Sequence, residues 1–143
     1  MDGGTYTLLL ERTSDATVTV GALGEQRFPA GWYAYTGSAL GPGGFARVDR
    51  HRALARGEND ARHWHVDYLL GAAATRVETT VTTPADIECG VARRLVETAE
   101  RAVPAFGCSD CDCDSHLVAD SDGERLLAAV ERAHERAQSD SGH

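Results

Sequence analysis

Residues 31–40 read GWYAYTGSAL, and the fold turns on whether this is a strand that carries chemistry into its final glycine turn. Its aromatic content suits a strand. Alternation then places Trp32 and Ala34 on one side and Tyr33 and Tyr35 on the other, and Gly37 offers a tight turn toward the helix that carries Arg47 and His51. Gly4, Thr5 and Tyr6 set another tyrosine in a similar context near the N-terminus. An ordinary strand-to-loop turn does not require a tyrosine at position 35.

Working outward, TYTLLLER (5–12) and ATVTV (16–20) are β-branched or apolar runs separated by a Thr-Ser-Asp turn signal, which predicts a hairpin. Residues 25–28 suit a further short strand. A glycine-rich loop, SALGPGG, leads into a helix from about Phe45 to Arg56, ended by GEND. ARHWHVDYLLGAA reads as a second helix, and TRVETTVTT (75–83) as a strand. Thr83 as N-cap, Pro84 and Asp86 predict the start of the next helix, whose stripe is Ile87, Val91, Leu95 and Ala99. A strand is expected near the end of FGCSDCDCDSHLVAD, then an amphipathic C-terminal helix within DGERLLAAVERAHERAQ. Strands precede helices without regular βαβ alternation. The expectation is an α+β domain with a mainly antiparallel sheet, spanning 1–119 and completed by residues 120–143.

The 143 residues suffice for one domain with its own core. No apolar run reaches the length of a membrane span, and the first residues lack a secretory pattern, so a cytoplasmic location is expected. The formal net charge is −8, from 22 acidic and 14 basic residues, and all the basic ones are arginine. This acidic, lysine-free composition resembles proteins of extreme halophiles; a GC-rich genome would favour arginine as well. Overall acidity argues against a nucleic-acid partner, but residues 43–57 hold Arg47, Arg50, Arg52 and Arg56 against Asp49 alone, four minus one giving +3.

Within that segment Arg47, Arg50 and His51 share a helix face. An arginine and a histidine after a glycine-rich loop suit phosphate binding, although a solvated charged face would look alike. Glu88 falls at the margin of its helix's apolar stripe, where a carboxylate needs a partner: a divalent cation or an arginine. His63 and Asp67 stand at i, i+4 with His65 on another face, as a metal pair or as a hydrogen-bonded core pair. Cys108, Cys111, Cys113 and His116 offer three sulfurs and an imidazole for tetrahedral zinc, but at no standard spacing. A reducing cytoplasm argues against a disulfide. The acidic alternation at 110–114 fails as a calcium loop, with Ser115 and Ser121 where glycine and glutamate belong.

Taken in order, GTY (4–6), YTG (35–37), Arg47, His51 and Glu88 resemble the GIY-YIG nuclease superfamily. GSALGPGG, HWHVDYLL, ECGVAR and FGCSDCDCDSHL resemble its Uri-type branch of small archaeal and bacterial proteins, from about Gly4 to Leu117. The resemblance implies a three-stranded antiparallel core sheet with flanking helices, here with an extra N-terminal hairpin between the two triplets. It also implies that the tyrosines, the arginine and the glutamate converge on a single-metal site that hydrolyses a DNA phosphodiester with Mg2+ or Mn2+. Carried over, Glu88 would hold the metal and Arg47 the scissile phosphate. Tyr6 or Tyr35, with His51 nearby, would orient or deprotonate water, the cations lowering a phenol pKa otherwise near 10. Ser38, Arg50, Arg56 and His65 are candidate nucleic-acid contacts. Both triplets have threonine where the superfamily's name has isoleucine, and Cys108 stands where the branch more often has serine.

The leading expectation is therefore a DNA endonuclease of repair or processing, with RNA left open. A binding module that grips nucleic acid or a partner repair enzyme without cutting is the alternative, and a zinc-stabilised structural protein a third.

Overall fold

The computed structural model describes residues 4–19, 24–39, 46–55, 75–85, 87–103 and 115–141. Its centre is strand β1 (Thr5–Arg12), antiparallel to both β4 (Gly31–Ser38) and β5 (Thr75–Thr83). Almost every residue of β1 is buried. That explains its unbroken Leu8, Leu9, Leu10 run: a strand covered on both faces has no solvent side to make polar. β7 (Leu117–Asp120) continues the sheet beyond β4, and the two-residue β6 (Arg101–Ala102) closes it, in the order β5-β1-β4-β7-β6. The fold is α+β on a mainly antiparallel sheet of five strands rather than the three expected.

The pairing predicted between residues 5–12 and 16–20 is not formed, whereas the extra hairpin expected between the two triplets is. β2 (Ala16–Thr19) pairs with β3 (Glu25–Phe28) as a separate two-stranded sheet, inserted between β1 and β4. β1 cannot also take β2 as a neighbour, because both of its edges are used. Phe28 reaches from the insert into the core, edge-on to Tyr33 at 6.0 Å between ring centroids.

Among the described residues three helices flank the sheet: α1 (Ala46–Ala55), α2 (Glu88–Thr98) and α3 (Gly123–Ser141). α1 contributes Val48 to the core that contains Tyr6, Leu8, Leu10, Tyr33 and Tyr35. α2 and α3 bury Val91, Leu95, Leu126 and Val130 against Leu9, Ala34 and Val118, which alternation places on the opposite face. The helix expected at 61–73 lies outside the described residues.

Thr83 does not cap α2, contrary to expectation. Its backbone ends β5 opposite Thr5, its hydroxyl bonds His134, and the helix begins at Glu88 after an Ile87 N-cap with no side-chain bond. α3 does have a side-chain cap. Asp122 Oδ1 accepts the amide hydrogens of Glu124 and Arg125, at 3.0 and 3.1 Å. Among the described residues no helix is long and apolar enough to cross a membrane.

Candidate active site

Tyr6 and Tyr35 stand on adjacent strands with inward side chains on one face, since Tyr6 pairs with Gly37 and Leu8 with Tyr35. Their ring centroids are 6.4 Å apart at a 52° tilt, and both residues are buried, at 2% and 7% exposure. Gly37 is explained by this pair. A Cβ there would lie 2.5 Å from the Tyr6 hydroxyl and 2.6 Å from its Cζ, closer than packed atoms approach. The residue is glycine because the Tyr6 ring lies across it; the turn proposed from sequence is not needed, as Gly37 sits within β4. Tyr33, expected to be a wall or packing residue, is buried and donates its hydroxyl hydrogen to the Pro29 carbonyl at 2.5 Å. Burial first of all pushes its phenol pKa up, against the opposing pull of Arg101.

A second constellation gathers at Thr36, between Tyr35 and Gly37. Glu88, the first residue of α2, lies on the stripe that buries Ala92 and Leu95. Among the described residues the partner of this carboxylate is a histidine. His116 Nδ1 is 3.1 Å from Glu88 Oε2 and 3.1 Å from the Thr36 carbonyl oxygen. Both neighbours are acceptors, so Nδ1 carries the hydrogen and donates it. The His116 side chain is 1% exposed and that of Glu88 20%. The histidine thus anchors a carboxylate that still meets solvent. The Thr36 amide in turn donates to the His116 carbonyl at 2.9 Å, tying the bend before β7 to β4.

The structure therefore brings Tyr6 to Tyr35, and Glu88 to His116, at the same end of the sheet. The tyrosines belong to the core under α1, and Glu88 to the helix on the opposite face. Arg47 and His51 lie on α1, whose Val48 belongs to the same core cluster as both tyrosines; their side chains lie outside the described residues. Arg50 on the same helix is half-buried, and Ser38 ends β4 opposite Thr5, also half-buried. Arg56, His65, Cys108, Cys111 and Cys113 lie outside the described residues, as do His63 and Asp67. Among the described residues no group of three His, Cys, Asp or Glu side chains is arranged to hold a metal.

Two features were missed in the sequence. Cys89, next to Glu88, is disulfide-bonded, which corrects the expectation of reduced thiols; an even total of four cysteines was the available signal. His134 is the other. It is buried on α3, and its Nε2 and Nδ1 each lie 2.8 Å from a threonine hydroxyl, those of Thr7 and Thr83. Thr7 Oγ1 is also 3.0 Å from Thr36 Oγ1, and Thr5 Oγ1 bonds the Ala85 carbonyl and the Ile87 amide ahead of Glu88. Burial lowers the His134 pKa to about 4, so the ring is neutral at pH 7. The sequence signal was its place beside Val130, Ala133 and Ala137 on the apolar stripe of α3.

What fold and site define together is an α+β domain with a buried tyrosine pair across one sheet end and an anchored carboxylate at that same end. A family model described as a domain of unknown function, DUF123, matches residues 5–139, and the chain belongs to that family. No curated protein and no solved structure matches it.

Proposed function

We propose that the protein is a metal-dependent endonuclease of the GIY-YIG type, Uri branch, that hydrolyses DNA phosphodiesters in repair or processing. One observation carries the reading: the tyrosines of the GTY and YTG triplets, far apart in sequence, meet across neighbouring strands at the sheet end where His116 anchors Glu88. A core alone needs neither two phenols nor an orienting histidine under a partly exposed carboxylate.

Glu88 fits one hard divalent cation. Mg2+ is commonly held by one or two carboxylates, its own waters and substrate oxygens rather than by an all-protein cage, and His116 supplies the orienting hydrogen bond that such a carboxylate needs. When bound, Mg2+ or Mn2+ would polarise the scissile phosphate and offset the charge that develops on it. The chain's own groups then divide the remaining work. Arg47, on the helix whose Val48 joins the tyrosines' core, is the candidate for gripping phosphate oxygens. Tyr6 or Tyr35 would orient the attacking water or take its proton, with His51 on the same helix as Arg47.

The near-complete burial of both rings favours a second reading, in which the tyrosines only build the site and the domain grips nucleic acid or a repair partner without cutting. Purified protein incubated with branched, nicked and supercoiled DNA and Mn2+ in high salt separates the two. Cleavage that falls by about 100-fold or more in Glu88→Ala and Tyr35→Phe supports the nuclease. No cleavage by the wild type, or equal cleavage by Glu88→Ala, overturns it.

A further inference from the structure

A groove of about 420 Å³ runs between α2 and α3, away from the tyrosines, and its walls are arginines. Arg125, Arg132 and Arg136 come from α3 and Arg94 from α2, with Glu97 the only acid among the lining residues. Four against one gives +3 in a chain whose net charge is −8. The segregation is built into α3. At about 100° per residue, Arg125, Arg132 and Arg136 fall within an arc of about 40°. Glu124, Glu131 and Glu135 fall on a separate stripe about 100° away, and the buried stripe of Leu126, Val130, Ala133 and Ala137 lies on the other side.

Not all of these arginines are internally engaged. Arg125 pairs with Asp120 at 2.7 Å and Glu100 at 3.0 Å. Among the described residues Arg132 and Arg136 have no carboxylate partner, and both are exposed. Their i, i+4 spacing is the one at which like charges repel along a helix, so a stability optimum would not set them there. Ala128 and Ala129 lie between Arg125 and Arg132 and give the groove a low floor over which a polyanion can approach.

We infer that this groove is a second nucleic-acid contact surface, in which Arg132 and Arg136, flanked by Arg94, bind backbone phosphates of the same polymer that the candidate site engages. The inference rests on the nucleic-acid reading of the site but not on cleavage. A row of exposed arginines over a floor of alanines suits contact with backbone phosphates, which does not depend on sequence. It would also supply affinity that a lone catalytic site lacks.

The test is a salt series of fluorescence anisotropy with labelled duplex DNA, comparing wild type with Arg132→Gln/Arg136→Gln, and with poly-glutamate as competitor. Both positions are exposed, so unchanged thermal unfolding of the variant verifies its fold. Two lost phosphate contacts should lower the slope of log affinity against log salt by about 1.8 and weaken binding at low salt at least about tenfold. An unchanged slope and affinity, absent DNA binding by the wild type, or poly-glutamate competing better than DNA overturns the groove, the last in favour of an acidic protein partner. Cleavage of supercoiled DNA with Mn2+ is read separately, with Glu88→Ala alongside. A variant that loses the slope while no protein cleaves keeps the groove and sinks the nuclease. A variant that keeps the slope beside a cleaving wild type does the reverse.

Discussion

On one face of the sheet Tyr6, Leu8, Leu10, Tyr33 and Tyr35 pack ring against aliphatic side chain, whereas at the same end of the other face Thr5, Thr7, Thr36 and Thr83 gather around His134. The aromatic side is held by shape: what matters is that Gly37 leaves room for the Tyr6 ring. The threonine side is held by direction, because each hydroxyl has a named partner. A one-residue slip of β1 would carry Leu8 to the His134 side and break the bonds of Thr5 and Thr7. Dispersion and area tolerate some repacking; a buried polar network does not. The pair of faces thus fixes volume on one side and register on the other, and the candidate site sits where they meet.

The comparison can be broken from either side. The largest effect is expected on the aromatic face: Gly37→Val drives a branched side chain into the Tyr6 hydroxyl and should cost about 3 kcal/mol, read from chemical unfolding. Loss below about 1 kcal/mol would mean the ring is free to move aside. On the threonine face the lever is pH. His134 titrates near 4 folded and near 6.5 unfolded, so between those values the unfolded chain binds more protons and stability falls as pH falls. Unfolding free energy should drop by about 2 kcal/mol from pH 7 to pH 5, and the part due to His134 should vanish in His134→Leu. Asp120 acts in a lower window. Its burial opposes ionisation, but the Asp122 amide and Arg125 outweigh this and hold its pKa below the usual value, so its contribution is lost only as pH falls beneath that value.

A smaller change sharpens the contrast. Tyr35→Phe removes a hydroxyl and no volume, so it should alter stability by about 1 kcal/mol or less while removing cleavage, the two being read by thermal unfolding and the DNA assay. Equal loss in both would make Tyr35 a packing residue alone. Smallest of all is Arg76→Ala on the edge strand β5. Arg76 pairs with Glu11 and with Glu78, the latter at 2.8 Å, in an exposed cluster, and unfolding should shift by about 0.5 kcal/mol or less and less still in high salt.

Much of this contrast was legible in the sequence, and for physical reasons. Alternation in GWYAYTGS assigned Tyr33 and Tyr35 to one side and Ala34 to the other, as found. The stripe of α2 marked Glu88 as a carboxylate in need of a partner, and β5 was read with its observed limits. What local pattern could not supply was pairing. A central strand and an edge strand differ in their neighbours, so β1 was joined to the wrong segment. The partner of Glu88, His116, comes from a distant bend, and a lone histidine on a helix stripe gives no sign of the threonines it will meet. Thr83 looked like a cap because its neighbours were Pro84 and Asp86; tertiary bonding to His134 took its hydroxyl instead.

The central place of β1 also bears on how the protein is made. β1 precedes both of its partners and must wait for β4 and then for β5, and the Thr7 bond to His134 spans 127 positions. Contacts that distant are slow to close and reward the chain only late. Until then Leu8, Leu9 and Leu10 form a short sticky edge on the ribosome, so a folding chain is at its most aggregation-prone before residues 75–83 emerge.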